Sequence, residues 1–379
     1  MRKTDKVFAS KIQLPFKLKK GVLALGPQTK NTLCFAKGSS AILSPVLGDL
    51  NNPEDYERFE QSVKYFLKKQ PKVIAYDLHP EYQSTKYALN LAPVAYRLAP
   101  VQHHHAHIAS CMAQNSLKNQ RVIGVAFDGT GLGEDNSVWG AEFFVCDYRT
   151  YRRVAHLKEI PLLGGERAVI EPWRLAVFWL YLAYKERLWK LKIDFVRALE
   201  KKKWQVLKNM YLAGYNSPRA SSMGRLFDAA ASIILAKSNA AFEAELAIEL
   251  EKLGSTYAAP IGSGYKFNLT FNDRMHIIDP LPMFRGIVSD LRAKVPQEEV
   301  SYKFHLTVAK MLKETCLVLR KKYRLNKVVL GGGVFQNKLL LRLGLDLLCR
   351  EGFEVFISKN VACNDSGVSL GEAVIAGLR

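Results

Sequence analysis

Two short apolar runs, each broken off by glycine, set the tightest limit on how this chain of 379 residues folds. Val122–Phe127 runs into Asp128-Gly129-Thr130-Gly131, and Lys327–Leu330 runs into Gly331-Gly332-Gly333. Runs this short and this apolar read as strands buried inside a sheet. Glycine after such a strand lets backbone N–H groups come close to a phosphate. Neither junction is a Walker loop or a dinucleotide fingerprint. A single glycine turn says little, because tight turns need glycine anyway. Two of them in one α/β chain suggest a nucleotide held between two lobes.

The rest of the chain fits that reading. Gly21–Gly26, Leu33–Ala36 and Ala41–Leu43 read as three short strands, and residues 54–69 carry helical spacing through Tyr56, Phe59, Val63, Phe66 and Leu67. A strand at 72–76, a helix at 84–92 and a strand at 96–102 follow. Beyond Phe127, strands are expected at 138–147 and 152–158, then a long helical stretch over about 170–255. Residues 256–300 show no clear pattern. A helix at 301–322 leads into the strand from Lys327. Another helix begins near Asn337, and the chain closes with a strand at 353–358 and a helix from about Ser366. There is no low-complexity segment and no internal repeat of about 20–50 residues. The expected organisation is lobe I over residues 1–120 and lobe II over 121–379, with the last helix returning to lobe I.

Composition excludes several classes. No apolar run reaches transmembrane length, and the opening Met1-Arg2-Lys3-Thr4-Asp5-Lys6 has no apolar core behind it. A cytoplasmic protein is expected. The six cysteines show no C-x-x-C spacing, which argues against a disulfide framework and a zinc ribbon. Most of them read as small buried hydrophobes. Lys and Arg outnumber Asp and Glu by 55 to 35, a net charge of +20 that favours acidic partners. Part of the excess falls in residues 181–210, which reads as a solvated helical face, with Trp189 and Trp204 as core anchors. No nucleophile elbow is present.

The densest chemistry lies in Gln102-His103-His104-His105-Ala106-His107, which holds four of the eight histidines. In a helix starting here, His103 and His107 lie one turn apart on one face, a spacing that suits two imidazoles on one ion. Oxygen ligands would come from aspartates. Asp128 at its glycine junction is one candidate, and Asp365 in Cys363-Asn364-Asp365-Ser366-Gly367 is another. Either is also a good turn or cap residue, and for Asp365 alone capping is the better reading. Two imidazoles with two carboxylates suit iron and zinc equally. Cys111 would share the histidine face, where a packed thiol is the simpler reading. Asp228, in Gly224-Arg225-Leu226-Phe227-Asp228, reads either as a ribose-binding carboxylate or as a charge at a helix N-terminus; taken alone, the second is favoured.

Taken in order, these segments resemble the C-terminal carbamoyltransferase region of the HypF family of hydrogenase-maturation proteins. The resemblance rests on Lys30-Asn31-Thr32, Asp77-Leu78-His79-Pro80, Val101–His107, Gly124–Gly131, Trp139-Gly140, Gly164-Gly165 with Glu171-Pro172-Trp173-Arg174, Gly224–Asp228, Gly331–Asn337, and Asn364–Gly367 with Leu370-Gly371-Glu372-Ala373. It runs from about residue 7 to the end. It implies a two-lobed α/β fold of the actin-like ATPase (ASKHA, RNase H-like) type. It implies one iron or zinc ion on His103, His107, Asp128 and Asp365. Gly331, Gly332, Gly333, Asn337 and Asp228 would hold the adenosine nucleotide, with glycine-turn N–H groups on the leaving phosphate, and His104 and His105 would serve either to support the metal ligands or as the catalytic acid–base groups. The implied reaction moves a carbamoyl group from carbamoyl-adenylate to the C-terminal cysteine of a HypE-type partner, toward the cyanide ligand of [NiFe]-hydrogenase. A separate YrdC-like domain or protein would make the carbamoyl-adenylate. Neither a membrane nor nucleic acid is expected as a partner.

The sequence departs from that pattern in three ways. The acylphosphatase, zinc and adenylate-forming domains upstream are missing, as in a split gene or an excised piece, so the chain alone is not expected to carry carbamoyl phosphate and ATP to completion. Ala244, in Phe242-Glu243-Ala244-Glu245, stands where the family usually has glycine. Glu166 stands where it tends to have Asp. Three alternatives compete: a small-molecule O-carbamoyltransferase of the antibiotic type, a nucleic-acid-binding relative of the tRNA threonylcarbamoyl transferases, and a scaffold that binds nucleotide without chemistry. The full run of segments argues against the first, the histidine cluster against the second, and the intact His and Asp set against the third.

Overall fold

The computed structural model describes residues 10–91, 96–258 and 263–379. Met1–Lys6, read above as no signal peptide, lie outside them. The first sheet holds β1 (Ser10–Ala24), β2 (Cys34–Leu43), β3 (Val73–Asp77) and β4 (Arg97–Val101) in the order β2-β1-β3-β4. Only the β1–β2 pair is antiparallel. Helix α1 (Pro53–Leu67) joins β2 to β3, and α2 (Gln83–Asn90) joins β3 to β4. The Asn52 side chain caps α1 by accepting from Glu54 N–H, and Pro53 opens the helix. Its buried stripe is Phe59, Val63 and Phe66.

Helix α3 (His103–Gln114) then leads to the larger sheet. That sheet holds β5 (Val122–Leu132), β6 (Val138–Cys146), β7 (Tyr151–Leu157), β8 (Ile160–Pro161), β9 (Arg219–Ala220), β10 (Asn268–Asn272), β11 (Met275–Asp279), β12 (Lys327–Gly331) and β13 (Glu354–Phe356). Its main order is β10-β11-β7-β6-β5-β12-β13. Around it stand α4 (Arg167–Ile170), α5 (Trp173–Tyr184), α6 (Asp194–Ala198), α7 (Lys201–Leu212), α8 (Met223–Leu235), α9 (Glu245–Ser255), α10 (Leu281–Arg292), α11 (Gln297–Tyr323), α12 (Lys338–Arg350) and α13 (Val368–Leu378).

Every residue of α3 is buried. One apolar cluster joins Ala106, Ile108 and Met112 of α3 to Val22 and Ala24 of β1, Phe144 of β6, Val329 of β12, and Val374 of α13. Helices α3 and α13 therefore lie between the two sheets. Their backbones meet where Gly371 faces the Ala106 carbonyl with no room for a methyl group. The histidines that begin this apolar helix are buried too, and their polar partners are Asp77 at the end of β3 and Asp128 in β5.

Several expectations are corrected. Strand β5 does not stop at Phe127. It continues to Leu132, with a register shift against β6 between Phe127 and Gly131, so Asp128-Gly129-Thr130 is a bulge within a strand. Ala41–Leu43 is the end of β2, not a separate strand. The helical stretch at 170–255 breaks into α5 to α9, with a short 3₁₀ helix at Lys185–Lys190 and strand β9 between them. The patternless 256–300 contains β10, β11 and α10. Strands β10 and β11 sit at the sheet edge with half-exposed faces, so neither shows a clean apolar alternation.

Candidate metal and nucleotide site

His103 and His107 stand on the first turn of α3, because Gln102 caps the helix there by accepting from His105 N–H at 2.9 Å. Their Nε2 atoms are 3.2 Å apart. The β5 bulge brings in Asp128, whose Oδ1 accepts from Gly129 N–H at 2.9 Å and Gly333 N–H at 3.1 Å. That leaves Oδ2 facing the histidines, 2.9 Å from His107 Nε2 and 3.5 Å from His103 Nε2. Asp365 comes from the single turn before α13, with Oδ1 3.8 Å from both ring nitrogens. Asn364, not Asp365, is the capping residue there.

Asp77, at the end of β3, takes His103 Nδ1 at 2.7 Å. A neutral His103 thus carries its proton on Nδ1 and turns the Nε2 lone pair inward. Burial alone would lower the His103 pKa, but the Asp77, Asp128 and Asp365 carboxylates hold it well above the usual value. Burial works to raise Asp128, and the two imidazoles outweigh it and hold the carboxyl well below its usual range. Burial raises Asp365. Two ring nitrogens this close, facing a buried carboxylate, need a shared positive charge. The four donor atoms lie within 4.8 Å of one another. Two imidazole nitrogens and two carboxylate oxygens so gathered fit one iron or zinc ion.

The cluster opens into a cavity of about 960 Å³. Gln28, Thr29, Lys30, His79 and Tyr82 line it from the small-sheet side, and Gly129, Arg225, Asp228, Glu243, Gly333 and Asn337 from the other. Asp228 lies well inside α8, so it is no helix-terminal charge. It pairs with Arg225 Nε at 2.8 Å, and burial lifts its carboxyl to about 6 despite that cation. Asn337 caps α12 by accepting from Leu340 N–H at 2.8 Å. Its amide donates to His305 Nε2 at 3.0 Å, because His305 Nδ1 already donates to the Ser301 carbonyl at 2.8 Å.

The other assigned residues fall elsewhere. Of the three glycines, Gly333 alone lines the cavity. Gly331 packs on the His107 backbone. Gly332, at φ +98°, leaves no room for a side chain against the Phe127 carbonyl. These two are needed for close packing. The N–H groups of Gly129 and Gly333 both go to Asp128, so they are not free for a phosphate. His105 Nε2 donates to the Asp147 carbonyl at 2.6 Å, away from the cluster. The His104 ring packs against Gly131 and Trp139. Burial pushes His104 down to about 3 and His105 to about 4. Imidazoles so held are poor bases and, being neutral, poor acids at pH 7, so both read as positioning groups. The Cys111 thiol is buried outside the cluster. Asp77 was quoted above only as part of a motif; its place at the end of an apolar strand, like that of Asp128, was the signal.

Two sheets with α3 and α13 between them correspond to a pair of Kae1-like domains, the class that the family models identify. The family model described as "HypF Kae1-like domain" matches residues 17–114, and that described as "Carbamoyltransferase, Kae1-like Domain, second subdomain" matches 124–372. The chain belongs to the HypF carbamoyltransferase family. It is 33% identical to a carbamoyltransferase HypF homolog of Cupriavidus necator, over 94% of this chain and 91% of that protein. It is 32% identical to carbamoyltransferase HypF of Synechocystis, over 95% of this chain and 48% of that one. A crystal structure of full-length HypF in the phosphate- and nucleotide-bound form superposes with a TM-score of 0.89 at 38% identity, over 97% of this chain and 47% of that one. HypF of T. kodakarensis superposes with a TM-score of 0.85 at 28% identity, over 97% of this chain and 48% of that one. The chain thus spans about half the length of most of these relatives. The expected mixed α/β fold is found, and it is the fold that this chain shares with full-length HypF. Among the described residues, no helix is long and apolar enough to cross a membrane.

Proposed function

We propose that this chain transfers a carbamoyl group from carbamoyl-adenylate to the C-terminal cysteine of a HypE-type partner, in a reaction that needs one iron or zinc ion and serves cyanide-ligand synthesis for [NiFe]-hydrogenase. The supporting observation is the cluster of His103, His107, Asp128 and Asp365 at the floor of a cavity large enough for a nucleotide. A separate YrdC-like domain or protein supplies the carbamoyl-adenylate.

The ion, held by these four residues, would supply Lewis acidity toward the carbonyl or phosphate of the donor. The chain's own residues do the rest. Asp77 fixes the tautomer of His103, and Gly129 and Gly333 fix the rotamer of Asp128. Arg225, Asp228 and the free amide hydrogen of Asn337 face the nucleotide. The donor is a mixed anhydride, so no enzyme nucleophile is required. The acceptor thiol loses its proton to water, and the thiolate forms a C–S bond to the carbamoyl carbon. The C–O bond to phosphate breaks, and AMP leaves with the electron pair.

The test is to mix the zinc- or iron-loaded protein with carbamoyl-adenylate and a HypE-type protein, then weigh the acceptor by mass spectrometry. A carbamoyl adduct on the terminal cysteine, absent with His103→Ala or Asp128→Ala, is the expected result. Normal nucleotide binding without an adduct would shift the assignment to a small hydroxyl acceptor first and to tRNA second.

A further inference from the structure

His79 and Tyr82 form a stretch of cavity wall that the reaction above leaves without a task. Both come from the short connection between β3 and α2. Their rings lie parallel, with centroids 4.3 Å apart and planes 6° apart, and both face the cavity. Asp77 anchors this corner to the metal ligands. Its Oδ1 accepts from His79 N–H at 2.9 Å, and its Oδ2 takes His103 Nδ1 at 2.7 Å. A displacement of the His79 backbone would therefore be felt at a ligating imidazole.

The hydrogen bonds settle what the two side chains can do. His79 Nδ1 accepts from Glu81 N–H at 3.3 Å. The neutral ring then carries its proton on Nε2. Burial keeps His79 below the usual histidine value, so the neutral ring is the form present at pH 7. Among the described residues, no group takes the Tyr82 hydroxyl. Burial, then the nearby Asp77, Asp365, Asp128 and Glu243 carboxylates, keep that phenol protonated. A histidine that donates from Nε2 and a tyrosine that stays protonated make poor bases. They make a pair of neutral donors.

Neutral donors beside a metal cluster suit an oxygen that is uncharged in the bound substrate and becomes negative during reaction. The carbamoyl oxygen is such a group; the phosphate is anionic throughout. We propose that His79 Nε2–H and Tyr82 O–H donate to the carbamoyl oxygen of the bound donor and hold its charge as the acceptor attacks. This rests on the carbamoyl-transfer reading. When the thiolate forms its bond to carbon, the carbonyl π pair moves onto this oxygen. It returns to form C=O as the bond to phosphate breaks and AMP departs.

The experiment uses the zinc-loaded protein with two probes, AMP and a carbamoyl-sulfamoyl adenosine as the stable mimic of the anhydride. Tyr82→Phe keeps the ring stack and removes only the hydroxyl; His79→Ala removes the other donor. By calorimetry each variant is expected to bind zinc and AMP like the parent and the mimic about tenfold more weakly. Transfer to a peptide ending in cysteine should fall on the order of a hundredfold in kcat with little change in KM for the peptide. Equal weakening of AMP and mimic, or Tyr82→Phe behaving as the parent toward both, overturns the assignment. If the parent transfers nothing yet prefers the mimic over AMP in a Tyr82-dependent way, the donor pair stands and the acceptor reading falls.

Discussion

Ala244 sits at φ +65° and ψ 8°, a left-handed conformation, at the start of α9 on the cavity wall. For a residue with a Cβ this costs roughly 1–2 kcal/mol. Glycine would relieve it, while giving the unfolded chain more entropy to lose. Ala244→Gly is expected to stabilise the protein by about 0.5–1 kcal/mol, read as a higher urea midpoint. The sequence alone flagged this position as a departure from the family's glycine, and the backbone shows why glycine suits it. Glu372, fully buried on α13, makes a second test. Its Oε2 accepts from Gly26 N–H at 2.9 Å, and burial, helped by Asp77, lifts its pKa from 4.5 to about 8. Its folded-state pKa is raised, so its stabilising contribution is complete below about 4.5 and is lost as pH rises through about 8. Glu372→Gln keeps an acceptor for Gly26 and cannot ionise. Urea midpoints from pH 5 to 9 should therefore decline for the parent, with that decline much reduced in the variant. The pairing of His103 with His107 could be read from helical spacing, whereas Asp365 joined the candidate ligands only through the family resemblance, and the structure brings all four together. His305 and Asp77 could not be assigned roles, because what they do depends on partners 32 and 26 residues away.

At the scale of elements, α3 works at both ends. Its first turn presents the histidines. At its last turn, Gln114 Oε1 accepts from the N–H groups of Lys359, Asn360 and Val361 at 3.0, 3.0 and 2.9 Å, and Asn115 donates to the Ile357 carbonyl at 2.8 Å. The pinned segment leads directly to Asp365. One helix thus carries two candidate ligands and fixes the approach to a third. Gln114→Leu leaves three donors without an acceptor; partial hydration offsets much of that loss, and a destabilisation of about 1–2 kcal/mol is expected. Zinc affinity, measured by competition with a chelator, should fall about tenfold because Asp365 loses its support. Elements with a buried face, such as α1 and β3, were evident in the sequence, whereas α3, buried all round, entered only as a condition on the histidine spacing. The stretch at 170–255 was not divided correctly, because its breaks lie at ordinary residues. Lys185, for instance, ends α5 at φ 52° and ψ −140°, a positive-φ conformation that favours glycine. Strand β5 was cut short because glycine marks a bulge as readily as a turn.

For the whole molecule, the four candidate ligands come from distant parts of the chain: α3, β5 and the turn before α13. A bound ion would act as a cross-link present only in the folded state. At a zinc concentration of about 100 times Kd the native state gains about 2.7 kcal/mol. Zinc should therefore raise the melting temperature of the parent and not that of Asp128→Ala, and a chelator should reverse the shift. The mixed α/β organisation followed from strand and glycine patterning. The placing of α3 and α13 between the sheets did not, because it rests on contacts between segments far apart in the chain.

The cluster is accessible from one side only. The side chains of His103, His107 and Asp128 are 1%, 1% and 7% exposed, whereas Asp365 is 20% exposed and faces the cavity. If the proposed ion and nucleotide both bind, they share this doorway, with the ion's place behind that of the nucleotide. Loading then becomes a matter of sequence in time: the ion would go in first, and the nucleotide would close the way out. A chelator should strip zinc from the free protein quickly and from the AMP-saturated protein slowly, in proportion to how rarely the nucleotide is away.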